Sequence, residues 1–137
     1  MAAIKAIEDI EVWKEARKLA GVIYRLAKTG ALSRDFSLRD QMCRAGVSIA
    51  CNIAEGFARD SNVEFRRFLC IARGSVTELK TQVYIASDIG YIDEDTTKSL
   101  CANIDRVGRM ISRFMDYLRN TPNPSPTPRA SANHETM

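Results

Sequence analysis

The sequence predicts an all-α protein, an antiparallel up-down-up-down four-helix bundle followed by a disordered C-terminal tail. All 4 prolines lie between positions 122 and 128, so no proline interrupts residues 1–121. Within that stretch, apolar residues recur at the three- and four-residue spacing of an α-helix. Glycine and polar clusters divide it into four long segments, and short connections between long helices favour antiparallel neighbours. We therefore expect a bundle over residues 1–120 and a proline-rich tail over 121–137, whose composition cannot offset its ordering entropy.

The first two helices are marked by their ends. Helix one is predicted over about 8–28, because Glu8 opens it with a carboxylate and Gly30 follows its last apolar residues. Helix two is predicted to begin at the capping-box-like motif S-L-R-D that starts at Ser37. It is apolar around most of its circumference, so we expect it to be the most buried helix, with Gly56 near its end.

Helices three and four have clearer signals. Ser61 and Glu64 form an S-x-x-E capping box at the start of helix three, and Gly90 is predicted to end that helix. Asp93 and the residues after it provide carboxylates and a capping hydroxyl for helix four. Helix two also contains many small residues, which predict a close approach of another helix backbone, within the chain or from a second subunit: Ala45, Gly46, Ser48, Ala50, Cys51, Ala54 and Gly56.

Composition narrows the functional class. Of 137 residues, 45% are hydrophobic and 27% charged, typical of a soluble globular protein, and the net charge of +3 permits an acidic partner such as RNA. No apolar run is long enough for a membrane span, and the first residues do not resemble a signal peptide. We therefore expect a cytoplasmic protein with no membrane contact. The 4 cysteines lack C-x-x-C spacing, so we expect reduced core residues, no metal site and no cofactor.

The sequence offers little for catalysis. The only histidine is His134, outside the predicted bundle, so a Ser-His or Cys-His pair is not available within it. Glu55 and Glu78 are conceivable as a catalytic carboxylate pair. The favoured interpretation is a buried hydrogen-bond network that sets helix register, with no catalytic residue. Its predicted members are Arg44, Asn52, Glu55, Glu78 and Gln82.

Basic residues recur along two helix faces. In and before helix three, four of them follow at intervals of seven with a fifth beside them: Arg59, Arg66, Arg73 and Lys80, with Arg67. Helix four adds Arg106, Arg109 and Arg113 at i, i+3 and i+7. Such stripes suit an RNA phosphate backbone, although cationic helix faces are often only solvated. We interpret these eight residues as candidate RNA contacts.

Several motifs carry a family resemblance. They include D-I-E-V-W-K-E-A at 9–16, N-I-A-E-G at 52–56 and G-S-V-T-E-L-K-T-Q at 74–82. On these motifs the chain resembles the 23S rRNA intervening-sequence proteins, to which the accessory variability proteins of diversity-generating retroelements are related. The loop at 30–36 departs from the family pattern because it lacks an aromatic-proline step, and the proline-rich tail is outside that pattern.

The resemblance implies a function in binding. It implies a non-enzymatic bundle that forms a ring-like homo-oligomer, typically a pentamer, with basic surfaces for RNA. The alternative it raises is an accessory adaptor that binds a reverse transcriptase and its template RNA. The sequence therefore predicts a bacterial homo-oligomeric RNA-binding protein, with the adaptor as the second hypothesis.

Overall fold

A computed structural model describes residues 4–121, which contain four α-helices, two short 3₁₀ turns and no β-strand. Helix α1 spans Glu11–Leu26, α2 spans Phe36–Phe57, α3 spans Asn62–Asp88 and α4 spans Glu94–Asn120. The 3₁₀ turns, Ile7–Asp9 and Ala31–Arg34, precede α1 and α2. Each helix packs against the next, and α4 returns to contact α1. The predicted all-α four-helix bundle is therefore confirmed; the predicted tail lies, from residue 122 onward, outside the described residues.

Side-chain caps start three of the helices. Ser61 Oγ accepts the Glu64 N–H at 3.1 Å, and Asp93 Oδ1 accepts the Thr96 N–H at 2.7 Å, so both predicted starts are confirmed. The cap of α2 is Asp35, whose Oδ1 accepts the Leu38 N–H at 3.1 Å. The predicted start at Ser37 is wrong because the Asp35 carboxylate, two residues earlier, already provides the capping oxygen.

The start of α1 also differs from the prediction. The segment from residue 7 to residue 9 forms a separate 3₁₀ turn, and α1 begins only at Glu11. The Asp9 carboxylate is turned backward, where it accepts the backbone N–H groups of Lys5 and Ala6 at 2.9 and 3.0 Å. These two bonds stabilise the turn and separate it from the helix.

Gly90 ends α3 as predicted. Its φ of +83° is a conformation that favours glycine, and it lets the chain fold back on the last turn. The Tyr91 N–H donates to the Ala86 carbonyl at 2.8 Å, and the Gly90 N–H donates to that of Ser87 at 3.0 Å, which together form a Schellman cap. Tyr91 then donates its hydroxyl to Asp35 Oδ2 at 2.9 Å. This bond joins the end of α3 to the start of α2.

The α2–α3 interface is built from small residues. The hydroxyl oxygens of Ser48 and Ser75 lie 2.9 Å apart across it. A Cβ added at Gly56 would lie 2.8 Å from Phe65 Cδ1 and 2.9 Å from Phe68 Cβ. Gly56 is therefore a helical residue that allows close packing, and α2 ends one residue after it, at Phe57, close to the predicted end. The predicted approach of a second backbone is confirmed within the chain.

The core runs the length of the bundle and receives side chains from all four helices. Helix α2, which we predicted to be the most buried, leaves Val47 and Cys51 exposed. Cys70 is also exposed, so the expectation of four core cysteines holds only for Cys43 and Cys101. Within residues 4–121, no helix is long and apolar enough to cross a membrane. The large, fully buried side chains include Leu19, Ile23, Met42, Ile49, Ile53, Phe65, Leu69, Leu79, Ile104 and Ile111.

Candidate nucleic-acid interface

A basic groove lies between α3 and α4. It has a volume of about 610 Å³, and two of the predicted cations on each helix line it, Arg73 and Lys80 on α3 and Arg109 and Arg113 on α4. We call it the α3–α4 groove. At the floor of the groove Gly108 lets α4 approach α3 closely, because a Cβ there would lie only 3.3 Å from Val76 Cγ1. The structure thus brings together four of the eight residues that the sequence singled out.

The groove cations differ in how far they are neutralised. Lys80 Nζ lies 2.8 Å from Asp105 Oδ1, and this hydrogen bond raises the pKa of Lys80 above its ordinary value. Arg73 donates to the neutral Ser112 hydroxyl at 3.3 Å. Within residues 4–121, no carboxylate pairs with Arg73, Arg109 or Arg113 within 4.0 Å. Three uncompensated guanidinium groups therefore remain for an anionic ligand.

Arg106 does not belong to the groove. Its Nη1 lies 2.6 Å from Glu15 Oε1 and so bridges α4 to α1. This bond, with that from Lys18, lowers the pKa of Glu15 below its ordinary value. The single helix-four face that we predicted is therefore divided, because the ion pair with Glu15 holds the Arg106 side chain against α1.

Arg59 and Arg67 form a separate pair at the α2–α3 end. Arg59 lies just after the end of α2 and outside α3, so it does not continue the seven-residue stripe of α3. It forms an ion pair with Glu55 at 2.8 Å. Arg67 pairs with Glu64 at 3.1 Å. Both guanidinium groups lie over the ring of Phe68, at 4.8 and 4.5 Å from its centroid. Local contacts thus occupy both cations.

Arg66 lies one heptad before Arg73 but does not line the groove. Its side chain is half-buried, and its Nε is buried without a hydrogen-bond partner in the described part of the chain. Of the predicted stripe, only Arg73 and Lys80 therefore face the groove.

The sequence reasoning missed a second basic surface on the outer face of α1. Lys14, Arg17, Lys18 and Arg25 line a shallow depression there. Lys14 pairs with Glu11 at 3.0 Å and Lys18 with Glu15 at 3.2 Å, so much of the charge is balanced locally. The signal was available in the spacing of these residues, which places them on the side of α1 away from its apolar stripe.

The predicted buried polar network is not formed. Arg44, Glu55 and Glu78 are exposed in the protomer. Gln82 is buried, and its Oε1 has no hydrogen-bond partner among residues 4–121. Asn52 does take part in a network, but its Nδ2 donates to the carbonyl and hydroxyl oxygens of Ser48 at 2.9 and 3.0 Å.

The Asn52 bonds connect to the Ser48–Ser75 pair and so link α2 to α3 through hydroxyl groups, not carboxylates. The small side chains turn toward the neighbouring helix, and the long charged ones therefore extend into solvent. The same exposure removes Glu55 and Glu78 from consideration as a sheltered carboxylate pair.

Comparison with known proteins identifies the family. A family model described as 23S rRNA-intervening sequence protein matches residues 8–113. The chain belongs to this family. A protein of unknown function from the S23 ribosomal protein family of Bacteroides thetaiotaomicron shares the fold, with a TM-score of 0.69 at 20% identity over 76% of this chain and 97% of that chain. No curated protein matches the chain. The match to the family model includes every residue that lines the α3–α4 groove except Asp116.

Proposed function

We propose that this protein is a non-enzymatic homo-oligomer that binds RNA through the α3–α4 groove. The observation that carries the proposal is the convergence of Arg73, Arg109 and Arg113 from two helices, none of them within 4.0 Å of a carboxylate oxygen among residues 4–121. Membership of a family described by 23S rRNA intervening sequences supports the choice of RNA as the anion.

The groove suits a phosphate backbone better than a base. Its sides carry guanidinium groups and the hydroxyl groups of Thr77 and Ser112, besides the carboxylates of Asp105 and Asp116, and no aromatic ring among residues 4–121 lines it. Such groups position phosphates but do not discriminate bases. Arg73 and Lys80 lie about 10 Å apart along the helix axis, far enough to contact separate phosphates. We therefore expect binding with strong salt dependence and weak sequence preference.

The test replaces the three uncompensated arginines together. In Arg73→Gln/Arg109→Gln/Arg113→Gln, we expect weaker binding of a single-stranded RNA and a salt slope lower by about 2, from roughly 0.7 per phosphate contact. The matched control is Lys5→Gln/Arg34→Gln/Lys98→Gln, which removes the same charge from exposed positions outside the groove. Fluorescence anisotropy over a range of salt concentrations measures both slopes.

Equal losses in both variants would show that net charge, not the groove, determines affinity. RNA binding that neither variant changes would contradict the proposal. It would favour the adaptor function, in which a reverse transcriptase or another protein is the main partner. Circular dichroism of both variants checks that each remains folded.

Self-assembly is supported by exposed apolar side chains. On the α2 side of α3, Ile71 and Ile85 are 43% and 45% exposed. We assign these residues to contacts between copies in a ring-like assembly such as a pentamer. Burying them on association would stabilise the oligomer by the hydrophobic effect.

Light scattering after size exclusion tests the assembly. We expect a mass several times the 15.3 kDa of one chain. Ile71→Gln/Ile85→Gln should lower this mass, whereas Tyr84→Gln, an exposed α3 residue beside Lys80 on the α4 side, should leave it unchanged. A wild-type mass near 15.3 kDa at micromolar concentration would refute assembly.

A further inference from the structure

A second concave site lies at the other side of the bundle, between the end of α1 and the first half of α2. It has a volume of about 690 Å³, within the usual range for small-ligand pockets. Its apolar floor is formed by Ala27 and Cys43, which are 3% and 9% exposed. Tyr24 and Val47 also line it and remain partly open to solvent. We call it the α1–α2 pocket.

The rim of this pocket is positively charged. Lys28, Arg39 and Arg44 line it, against one carboxylate, Asp40. Arg39 is already engaged, because its Nε donates to Asp40 Oδ1 and its Nη1 to the Ser33 carbonyl, both at 3.1 Å. Lys28 and Arg44 have no carboxylate partner within 4.0 Å among residues 4–121. They provide two uncompensated charges from two different elements.

The floor adds no opposing charge. Burial, reinforced by the nearby Asp40 carboxylate, raises the pKa of the Cys43 thiol above its ordinary value, so the thiol stays neutral at physiological pH. The pocket therefore combines an apolar floor, the exposed phenol ring of Tyr24 and the two unpaired cations Lys28 and Arg44.

We propose that the α1–α2 pocket binds a nucleoside 5′-phosphate, with its base stacked on Tyr24 and its phosphate held by Lys28 and Arg44. Tyr24 lies in the last turn of α1, Lys28 lies two residues beyond the end of that helix, and both line the pocket together with Arg44 of α2, so one nucleotide can contact all three side chains. Tyrosine rings stack on any base. The free oxygen of Asp40 can accept a hydrogen bond from an amino group at the edge of a base, and so can Ser33 Oγ, whose own hydrogen is donated to the Gly30 carbonyl at 2.6 Å.

These polar groups favour a nucleotide over a phosphorylated tyrosine, whose hydrocarbon ring offers no partner for Asp40. The source of the nucleotide is either a free mononucleotide or an unpaired nucleotide of RNA, since both present the same base and phosphate. The site does not depend on the α3–α4 groove, because it is built from different helices.

Calorimetric titration of the full-length protein tests the proposal. We expect 5′-AMP to bind at least tenfold more tightly than inorganic phosphate or O-phosphotyrosine. Tyr24→Leu and Lys28→Gln/Arg44→Gln should each weaken AMP binding by roughly tenfold, on the scale known for base stacking and phosphate contacts. All three side chains are exposed, so these variants should fold normally. Arg25→Gln, an exposed α1 residue outside the pocket, is the matched control and should bind AMP like the wild type.

Two further measurements distinguish a free nucleotide from an RNA nucleotide, and the α1–α2 pocket from the α3–α4 groove. Decaadenylate that binds more tightly than AMP, and loses this gain in the pocket variants, indicates an unpaired RNA nucleotide. AMP that binds as tightly as decaadenylate indicates a free nucleotide. The Arg73→Gln/Arg109→Gln/Arg113→Gln variant should keep its AMP affinity. The proposal is overturned if millimolar AMP gives no binding, if phosphotyrosine binds as tightly as AMP, or if the pocket variants bind AMP like the wild type.

Discussion

Adding one methyl group at Gly56 tests how closely α2 and α3 pack. In Gly56→Ala the new Cβ would lie 2.8 Å from Phe65 Cδ1, 2.9 Å from Phe68 Cβ and 3.1 Å from the Phe65 carbonyl oxygen. Two of these atoms are close to the α3 backbone and the third belongs to the fully buried Phe65 ring, so none can move freely. The helices must separate or the ring must leave its rotamer.

Two opposing effects decide the magnitude. Alanine in a helix interior is favoured over glycine by about 0.5–1 kcal/mol. Overpacking a well-filled core costs about 1–3 kcal/mol. Because three contacts fall at or below 3.1 Å, we expect overpacking to win, with a net loss of about 1–2 kcal/mol in the free energy of unfolding.

Gly74 provides the matched control. It also lies inside a helix, in α3, but a Cβ there would meet nothing within 4 Å. Gly74→Ala should therefore show the propensity gain alone and stabilise the protein by about 0.5–1 kcal/mol. The same substitution at the two glycines is therefore expected to change the free energy of unfolding in opposite directions.

Urea denaturation of both variants at one protein concentration measures the difference, because an oligomer's apparent stability depends on concentration. A shift of 1 kcal/mol should also move the melting temperature by roughly 4 °C. If Gly56→Ala proved as stable as Gly74→Ala, the close approach of α2 to α3 would be refuted.

Two further predictions concern charged groups. Asp35 and Asp93 accept hydrogen bonds from backbone N–H groups, and these bonds lower the pKa of both carboxyl groups. Their contribution to the free energy of unfolding is therefore complete above the ordinary pKa of about 3.9 and is lost as the pH falls through the lower pKa of the folded state. In Asp35→Asn/Asp93→Asn the free energy of unfolding should thus fall less steeply as the pH is lowered. A slope equal to that of the wild type would contradict the assignment of these residues as caps. Asp105→Asn should free Lys80 and tighten RNA binding with a steeper salt slope, whereas Asp95→Asn, with the same charge change outside the groove, should not. Equal effects on RNA anisotropy would remove Lys80 from the interface.

The helices were predictable where the signal is local. Ser61 and Asp93 cap their helices from within a few residues, and Gly90 is needed because only glycine adopts its φ at low cost. At α2 the sequence predicted a start at Ser37, whereas the structure places the cap two residues earlier, at Asp35. The hydroxyl of Tyr91, distant in the chain, bonds the Asp35 carboxylate and supports its position as the cap. Sequence spacing cannot reveal that contact.

For the α3–α4 groove, the sequence could predict the cations on each helix but not how the two helices bring them together. A seven-residue interval places Arg73 and Lys80 on one face of α3 whatever the rest of the fold does. Their meeting with Arg109 and Arg113 depends on the register between two helices, which periodicity within one helix does not determine. The same register decides that Asp105 neutralises Lys80 and that Glu15 takes Arg106 to α1.

The small residues of α2 also determine where the surface can be concave. Serine and glycine let α2 pack closely against α3, so that the hydroxyl groups of Ser48 and Ser75 and the ring of Phe65 fill the interface. The two concave sites to which we assign ligands lie at two of the other seams, α3–α4 and α1–α2. Exposed isoleucines on the α2 side of α3 leave both seams outside the surface that we assign to self-association. An assembly of this kind would repeat each basic site once per copy, so that weak contacts with one RNA would add through avidity.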